Sequence, residues 1–297
     1  TFPHHQDGAA QLLDCPITRE DFQAAVATWD GVDIEDAMAG NGVPCTMMRP
    51  HDEWLAHPQG AALSKLPLIE LIKIGDAPPL ECAEGARPLS GLRVLDLTRV
   101  IAGPICGRNL AEHGAEVMRI ASPNLPYVPR LVIDSGRGKL SAHLDLKTSA
   151  DCTRLETLLE SAHVFVQGYR PGAVDGLGFT PEAVAARRPG IIYTSLCAFS
   201  HAGPWSGRRG FDSLVQVASG IAQAGADAAG KRLPVPLPCQ ALDHATGYLA
   251  ALGTMMARTR QMTEGGSWHV RVSLAQTSHW LQQLGPVAGL GLTTPEL

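Results

Sequence analysis

The sequence lacks the features of several large protein classes. Its seven cysteines are scattered and form no Cys-x-x-Cys motif, which favours reduced thiols over disulphides or a zinc site. No apolar run approaches the ~20 residues that span a bilayer, and no signal-peptide pattern is visible at the start. The net charge of −5 does not favour nucleic acid or an anionic membrane as a partner. We therefore expect a cytoplasmic protein that binds neither.

Histidines are also not arranged for a metal. No pair of them sits at metal-ligand spacing with a supporting carboxylate, so no metal site is expected. What the sequence does contain is the material of a large core. Hydrophobic residues make up 45% of the 297 positions and charged residues 18%, which is the balance of an ordinary globular protein.

The chain divides into two parts by its pattern. Residues 1–87 predict a small, mainly helical subdomain ending in a linker, and residues 88–297 predict strands that alternate with helices. Such alternation favours right-handed βαβ units and a parallel sheet. The predicted fold class is α/β: a Rossmann-like parallel sheet flanked by helices, with the small helical subdomain beside it. Strands are predicted at 67–74, 93–97, 116–120, 140–146, 164–167, 191–196 and 268–273, and helices at 18–27, 34–39, 51–63, 105–113, 150–161, 181–188, 213–222, 244–258 and 274–284.

The loop after the first strand of the predicted parallel sheet is a candidate ligand loop. Residues 98–104 end in Gly103, which lets backbone approach a ligand, and Pro104, which suits the first turn of a helix. A purely structural turn fits these residues about as well. The Gly-x-Gly-x-x-Gly fingerprint is absent, which disfavours a nicotinamide cofactor. Further along, Arg137, Lys139 and Lys147 form either a solvated basic face or point charges for phosphates.

Asp243 lies where residues 238–243 run into an apolar helix. Aspartate is a preferred helix N-cap, worth ~1 kcal/mol, and capping is the favoured interpretation from the local sequence alone. The same position would serve chemistry, because the amides of a helix start hold a carboxylate anionic and stabilise an oxyanion that forms on it. Ala245 and Gly247 leave room beside it.

Several segments together resemble class III CoA-transferases, and the resemblance covers residues 88–284. That family includes formyl-CoA and carnitine CoA-transferases and α-methylacyl-CoA racemase. The segments are PLSGLRVLDLTRVIAGP (88–104), LAEHGAEVMRI (110–120), RGKLSAHLDLK (137–147), GYRPGAVDGLGF (168–179) and PGIIYTSLCAFSHAGP (189–204), followed by a glycine-rich helix pattern over 247–253.

The resemblance implies that Asp243 is the nucleophile of CoA transfer. In such enzymes the aspartate attacks an acyl-CoA thioester, a mixed anhydride forms, and the returning thiolate gives an aspartyl-CoA thioester. An acceptor carboxylate then repeats the exchange. The implied substrates are an acyl-CoA and a carboxylic acid, with coenzyme A as substrate and no tightly bound cofactor. The implied assembly is an interlocked homodimer.

Binding roles follow from the same resemblance, residue by residue. Val100 and Leu144 correspond to walls of the adenine or pantetheine site, and Tyr169 to an aromatic residue stacked near the nucleotide. Lys147 and Arg209 correspond to basic contacts with the phosphates of CoA. All five residues are expected to lie together.

Two alternatives to transfer stay open. A 2-methylacyl-CoA racemase of this family uses a histidine base in a Gly-His-Asp turn, whereas this sequence has Phe211 between Gly210 and Asp212, and phenylalanine moves no proton. The second alternative is that the chain is a non-catalytic CoA-binding half of a longer, duplicated protein. The segment 53–58 resembles part of the family's small domain yet precedes the sheet, and no glycine run resembles the loop that closes over the aspartate.

Overall fold

The structure, a computed structural model, describes residues 2–81 and 84–286. The strands of this part of the chain are β1 (Glu70–Gly75), β2 (Arg93–Asp96), β3 (Glu116–Ala121), β4 (Lys139–His143), β5 (Val164–Gln167), β6 (Ile192–Cys197) and β7 (Ser267–Ser273). Its helices are α1 (Pro3–Leu13), α2 (Arg19–Val26), α3 (Gly31–Gly40), α4 (His51–Ala56), α5 (Pro58–Leu63), α6 (Ala102–Glu112), α7 (Pro129–Ser135), α8 (Ser149–Leu159), α9 (Pro181–Arg187), α10 (Asp212–Ala218), α11 (Ile221–Ala228), α12 (Ala241–Glu264) and α13 (Leu274–Gln283).

All seven strands form one sheet in the order β1-β7-β6-β5-β2-β3-β4. Strands β2 to β7 are parallel, and counted from β2 their order is the 3-2-1-4-5-6 of doubly wound nucleotide-binding folds. This confirms the predicted α/β class. The edge strand β1 pairs antiparallel with β7, with Glu70 opposite Arg271. The predicted strand at 67–74 thus adds an edge to the same sheet.

Helices cover both faces of the sheet, so its strands are apolar on both sides. Successive residues of β2 show this: Val94 lies in one apolar core and Leu95 in the other. The first core includes Leu110 of α6 and Ala250 of α12, and the second includes Leu155 of α8. Every residue of β6 is buried. This packing holds the carboxyl ends of the parallel strands at one edge of a rigid layer.

The N-terminal helices have a small apolar cluster of their own, which includes Leu13 of α1 and Met38 of α3. A buried ion pair between Glu35 and Arg49, 2.5 Å apart, lies at its border. The Arg49 guanidinium stacks over the ring of Trp205, 5.5 Å from its centroid. This contact ties the helical part to the loop that follows β6.

Some elements differ from those predicted. The helix expected at 213–222 is two helices, α10 and α11, because Gly220 adopts a φ of +96° between them. A Cβ at this position would lie 2.6 Å from the backbone nitrogen of His51. The helix expected at 244–258 is longer and extends over Ala241–Glu264. Helices α1 and α7 were not predicted. Among the described helices, none combines the length and apolar character needed to cross a membrane.

Candidate active site

The strand order reverses between β2 and β5, and a crevice opens where their following loops diverge. Three adjoining cavities lie there, and Leu125 lines all of them. Val100, from the loop after β2, lines two, and Tyr169, from the loop after β5, lines two. The crevice at the switch point is therefore the ligand site that the fold itself provides.

One of these cavities is an apolar slot of about 140 Å³ with a polar rim. Leu144 and Tyr169 lie in its wall, and Lys147 at its rim. The rim is held in place by Asp145, which accepts hydrogen bonds from the Lys147 backbone amide at 3.2 Å and from the Asn124 side chain at 2.7 Å. Burial raises the pKa of the Tyr169 phenol, so its ring stays neutral. The slot suits a flat, weakly polar group.

The neighbouring cavity, of about 320 Å³, is lined by cations. Arg99, Arg170 and Arg209 all lie in its wall, and no aspartate or glutamate is among its described lining residues. Val100 and Tyr169 connect it with the other cavities. All five residues predicted to bind CoA therefore lie around one crevice.

The loop after β2 is strained at Val100, whose φ is +70°. A β-branched residue rarely adopts this conformation, which costs ~1–3 kcal/mol. A buried ion pair holds the loop: the Lys139 ammonium lies 2.8 Å from an Asp96 oxygen and also donates to the Pro104 carbonyl at 2.8 Å. Asp96 in turn accepts the Thr98 amide. The Lys139 side chain is 1% exposed and engaged in both contacts, so it stabilises the loop and does not present its charge to a phosphate at the surface.

Asp243 does not cap its helix. It is the third residue of α12, and the N-cap is Gln240, which adopts a φ of +49° and makes no side-chain cap bond. The Asp243 backbone amide instead donates to the Asp212 carboxylate at 3.0 Å. The interpretation of Asp243 as an N-cap is therefore wrong, and its carboxylate is not used to hold the helix start.

Asp212, the first residue of α10, lies beside Asp243: its carboxylate accepts the Asp243 amide, and its charge acts on the Asp243 carboxyl group. Both residues are buried, at 2% and 8% exposed, and we call them the carboxylate pair. Gln216 donates to the other Asp212 oxygen at 2.5 Å and accepts the Leu237 amide at 2.6 Å. Burial first, and then the nearby Asp212, raise the pKa of Asp243 from 3.8 to about 7. No hydrogen bond or cation from the described residues offsets these two causes.

The carboxylate pair lies close to the crevice without lining it. One turn after Asp243, a Cβ on Gly247 would meet the Ala102 carbonyl oxygen at 2.5 Å, so α12 packs directly on the first turn of α6. On the other side, the turn from Arg209 to Asp212 connects the cation-lined cavity to the pair. Asp243 is not one of the described residues that line the three cavities.

Asp212 was not predicted as a site residue. Its sequence signal was its place after Gly210 and Phe211, the turn where racemases of the resembled family carry their histidine. Phe211 packs its ring against Phe2 and His5, with centroids 6.0 and 5.9 Å apart. The start of the N-terminal helix α1 therefore packs against the same turn, a contact that no local sequence pattern indicates.

Comparison with known proteins decides the family. A family model for CoA-transferase family III matches residues 89–292. The chain belongs to CoA-transferase family III. Among curated relatives, an acyl-CoA transferase of Gibberella moniliformis is 31% identical over 90% of this chain and 50% of its own length. An acetyl-coenzyme A transferase of Hypoxylon pulicicidum is 33% identical over 80% of this chain and 42% of its own.

Solved structures agree with this assignment. The protein Rv3272 of Mycobacterium tuberculosis superimposes with a TM-score of 0.63 at 31% identity, over 68% of this chain and 57% of its own. A CaiB/BaiF family protein of Brucella suis gives a TM-score of 0.59 at 25% identity, over 66% and 55%. The chain spans about half the length of the curated relatives it matches.

Proposed function

We propose that this chain transfers CoA between an acyl-CoA thioester and a carboxylic acid, with Asp243 as the nucleophile. The observation that carries the proposal is the buried carboxylate of Asp243, free of capping duty and placed between the ligand loop's helix and the turn to the cation-lined cavity. Buried carboxylates with raised pKa values cluster at functional sites. Membership of CoA-transferase family III supports the reaction class.

The proposed exchange balances at each step. Asp243 attacks the thioester carbon, the C–S bond breaks, and a mixed anhydride and CoA thiolate result. The thiolate attacks the Asp243 carbonyl carbon, which frees the first acid and leaves an aspartyl-CoA thioester. The acceptor carboxylate attacks that thioester to form a second anhydride, and the released thiolate attacks the acceptor's carbonyl carbon. Asp243 is regenerated, and no ATP is needed because one thioester replaces another.

CoA would be held by the crevice at the switch point. In this proposal Leu144 and Tyr169 enclose the adenine in the apolar slot, and Val100 contacts the chain that leads to the thioester. Lys147 at the rim and Arg209 in the cation-lined cavity meet the phosphates. This arrangement is supported by the apolar slot and by the neighbouring cavity, whose described lining residues include no acid.

The raised pKa of Asp243 gives the proposal a pH signature. Only the ionised carboxylate attacks a thioester, and with a pKa of about 7 a large fraction is protonated at neutral pH. In a site shielded from water the ionised form is poorly solvated, which favours attack. Formation of the acyl-enzyme is therefore expected to accelerate as the pH rises through about 7.

Transfer is favoured over racemisation by the residues near Phe211. Phe211 itself has no group that moves a proton. The adjacent His5 is a weak base, because burial, then the neighbouring His4 and Arg209, lower its pKa to about 4. Wash-in of deuterium at the α-carbon of a 2-methylacyl-CoA would show racemase chemistry, and we expect none.

The proposed assembly is a homodimer in the cytoplasm. Tyr248, Leu252 and Met256 form an apolar stripe along α12, with exposed fractions of 43–49%. Their spacing of four residues places them on one helix face, and such a face is typical of an interface. Light scattering is expected to give twice the chain mass, and Leu252→Glu to shift it towards the monomer. Cell fractionation tests the compartment.

The test of the nucleophile is intact-protein mass spectrometry after exposure to acetyl-CoA, succinyl-CoA and formyl-CoA. These donors are chosen because relatives carry acetyl, succinyl and formyl-CoA transferase names. Hydroxylamine or borohydride trapping and peptide mapping are expected to place an adduct on Asp243 with at least one donor. Asp243→Ala is expected to form none.

The matched control is Asp76→Ala, since Asp76 directly follows the edge strand β1 and its side chain is 95% exposed. It is expected to form the adduct as the wild type does. A wild-type chain that binds CoA but forms no adduct with any donor would contradict the covalent proposal. It would favour the non-catalytic CoA-binding half.

A further inference from the structure

The cation-lined cavity has a wall that comes from the N-terminal helix. Phe2, His4 and His5 line it together with the three arginines. Phe2, His4 and His5 lie outside the segment 89–292 that matches CoA-transferase family III, whereas the three arginines lie inside it. The family relationship therefore assigns the first three no role, and any role must come from their contacts.

His5 makes a direct contact with the cation expected to bind phosphate. Its Nε2 lies 3.4 Å from an Arg209 Nη1, where it accepts the guanidinium hydrogen. Phe2 is 6% exposed, and the Arg99 guanidinium lies 5.8 Å from the centroid of its ring. The start of α1 thus fixes two of the three arginines that face the cavity.

The charge of these arginines is not neutralised within the described residues. Arg99 donates to the Pro126 carbonyl, Arg170 to the Gly207 carbonyl at 3.5 Å, and Arg209 contacts the neutral His5. Three guanidinium groups around one cavity, each with a neutral partner, attract an anion of more than one charge. Phosphate matches this demand because its oxygens accept several such donors at once.

We propose that α1 completes a phosphate subsite, in which His5 and Arg209 together bind one phosphate group and Phe2 forms its apolar wall. The proposal deepens the CoA-binding function and rests on it for the identity of the ligand. The phosphate belongs either to the ribose monoester of CoA or to its pyrophosphate, and the test distinguishes them.

The His5 imidazole gives the subsite a property that a passive wall lacks. Beside Arg209, His5 is neutral at pH 7, because burial, His4 and Arg209 lower its pKa to about 4. A bound phosphate adds negative charge beside the ring and raises that pKa, so binding takes up a proton. Arg99, Arg170 and Arg209 stay charged throughout. The second ionisation of a phosphate monoester lies in the same range and is common to wild type and variant. Wild type is therefore expected to gain CoA affinity relative to His5→Gln as the pH falls from 7.5 to 5.5.

The experiment is calorimetric titration of the full chain with CoA, 3′-dephospho-CoA, pantetheine and inorganic pyrophosphate. For His5→Gln we expect about tenfold weaker CoA binding, unchanged pantetheine binding and a flatter pH dependence. If dephospho-CoA binds wild type and His5→Gln equally, the ribose phosphate occupies the subsite. If dephospho-CoA also binds the variant about tenfold more weakly, the pyrophosphate occupies it.

His113→Gln is the matched control, because His113 bonds to the Asn109 carbonyl at the end of α6, away from the cavity. Thermal melts check that both variants fold. Equal CoA affinity of wild type and His5→Gln would overturn the proposal, and so would an equal loss for CoA and pantetheine. If wild type binds no CoA but binds pyrophosphate through His5, the CoA function fails and the phosphate subsite stands. Binding of neither overturns both.

Discussion

The cation-lined cavity and the carboxylate pair are joined by one short turn, yet their electrostatics are opposite. The cavity holds three arginines and no described acid. At the pair of Asp212 and Asp243, no cation from the described residues lowers the pKa of Asp243. Within each region, like charges therefore repel one another without an opposite charge nearby. An acyl-CoA would complement the first with its phosphates and react with the second.

This difference teaches how the two regions divide the work. Binding energy gained where phosphates meet the arginines is available to bring the thioester against a carboxylate that is costly to ionise. The turn from Arg209 to Asp212 makes the two events adjacent in space. We expect changes in the cavity to alter affinity and changes in the pair to alter the rate.

The largest expected effect is that of Asp243→Asn. The amide keeps the size of the side chain and removes the nucleophile, so CoA transfer is expected to fall by at least ~10³-fold with CoA affinity nearly unchanged. Steady-state kinetics and CoA titration measure the two quantities. Asp212→Asn removes the neighbouring carboxylate but keeps the nucleophile, and its loss of rate is expected to be smaller. Equal losses of transfer rate in the two variants would contradict the assignment of Asp243, and not Asp212, as the nucleophile.

The second effect is on stability and follows from the raised pKa of Asp243. The folded pKa of about 7 lies above the ordinary aspartate value of 3.8, so stability present below pH ~4 is lost as the pH rises to about 7. Asp243→Asn lacks this ionisation. The free energy of unfolding of the variant minus that of the wild type is expected to increase by up to ~4 kcal/mol between pH 4 and pH 7. Above pH 7 this difference is expected to stay constant. Urea denaturation at pH 4.5, 6 and 8 measures it, and parallel curves would contradict a buried ionisable Asp243.

The sequence could predict the sheet and the ligand loop, because buried parallel strands are continuous apolar runs and the loop follows one directly. It could not predict the pairs that make the site work. Asp212 and Asp243 are 31 positions apart, and His5 and Arg209 are 204 apart. For Lys139 the local sequence indicates only a solvated cation or a point charge for phosphate, because nothing local shows that it pairs with Asp96. Such contacts depend on packing between elements, which no local pattern encodes.

The third effect belongs to the cavity. Arg209→Ala is expected to weaken CoA binding about tenfold, since it removes a charged donor to phosphate, with little change in the rate at saturating substrate. Titration at increasing salt should show a shallower dependence for the variant than for wild type. Arg137→Ala is the control, because Arg137 is 75% exposed and does not line this cavity. If the rate at saturating substrate falls by the same factor as the affinity, the cavity does not act on affinity alone, and the proposed separation of roles between the cavity and the carboxylate pair is wrong.

The smallest effect concerns the strained loop that lies between the two regions. Glycine adopts a positive φ freely, whereas alanine keeps most of the cost that Val100 bears at +70°. Both Val100→Gly and Val100→Ala lose the side chain that lines the crevice, so both should bind CoA more weakly. Val100→Gly is nevertheless expected to be more stable than Val100→Ala by ~1 kcal/mol, as thermal denaturation would measure. Equal stability of the two variants would mean that the loop changes its conformation when Val100 is replaced, so that residue 100 no longer has a strained φ. In that case contact with the ligand would be the reason for valine at this position.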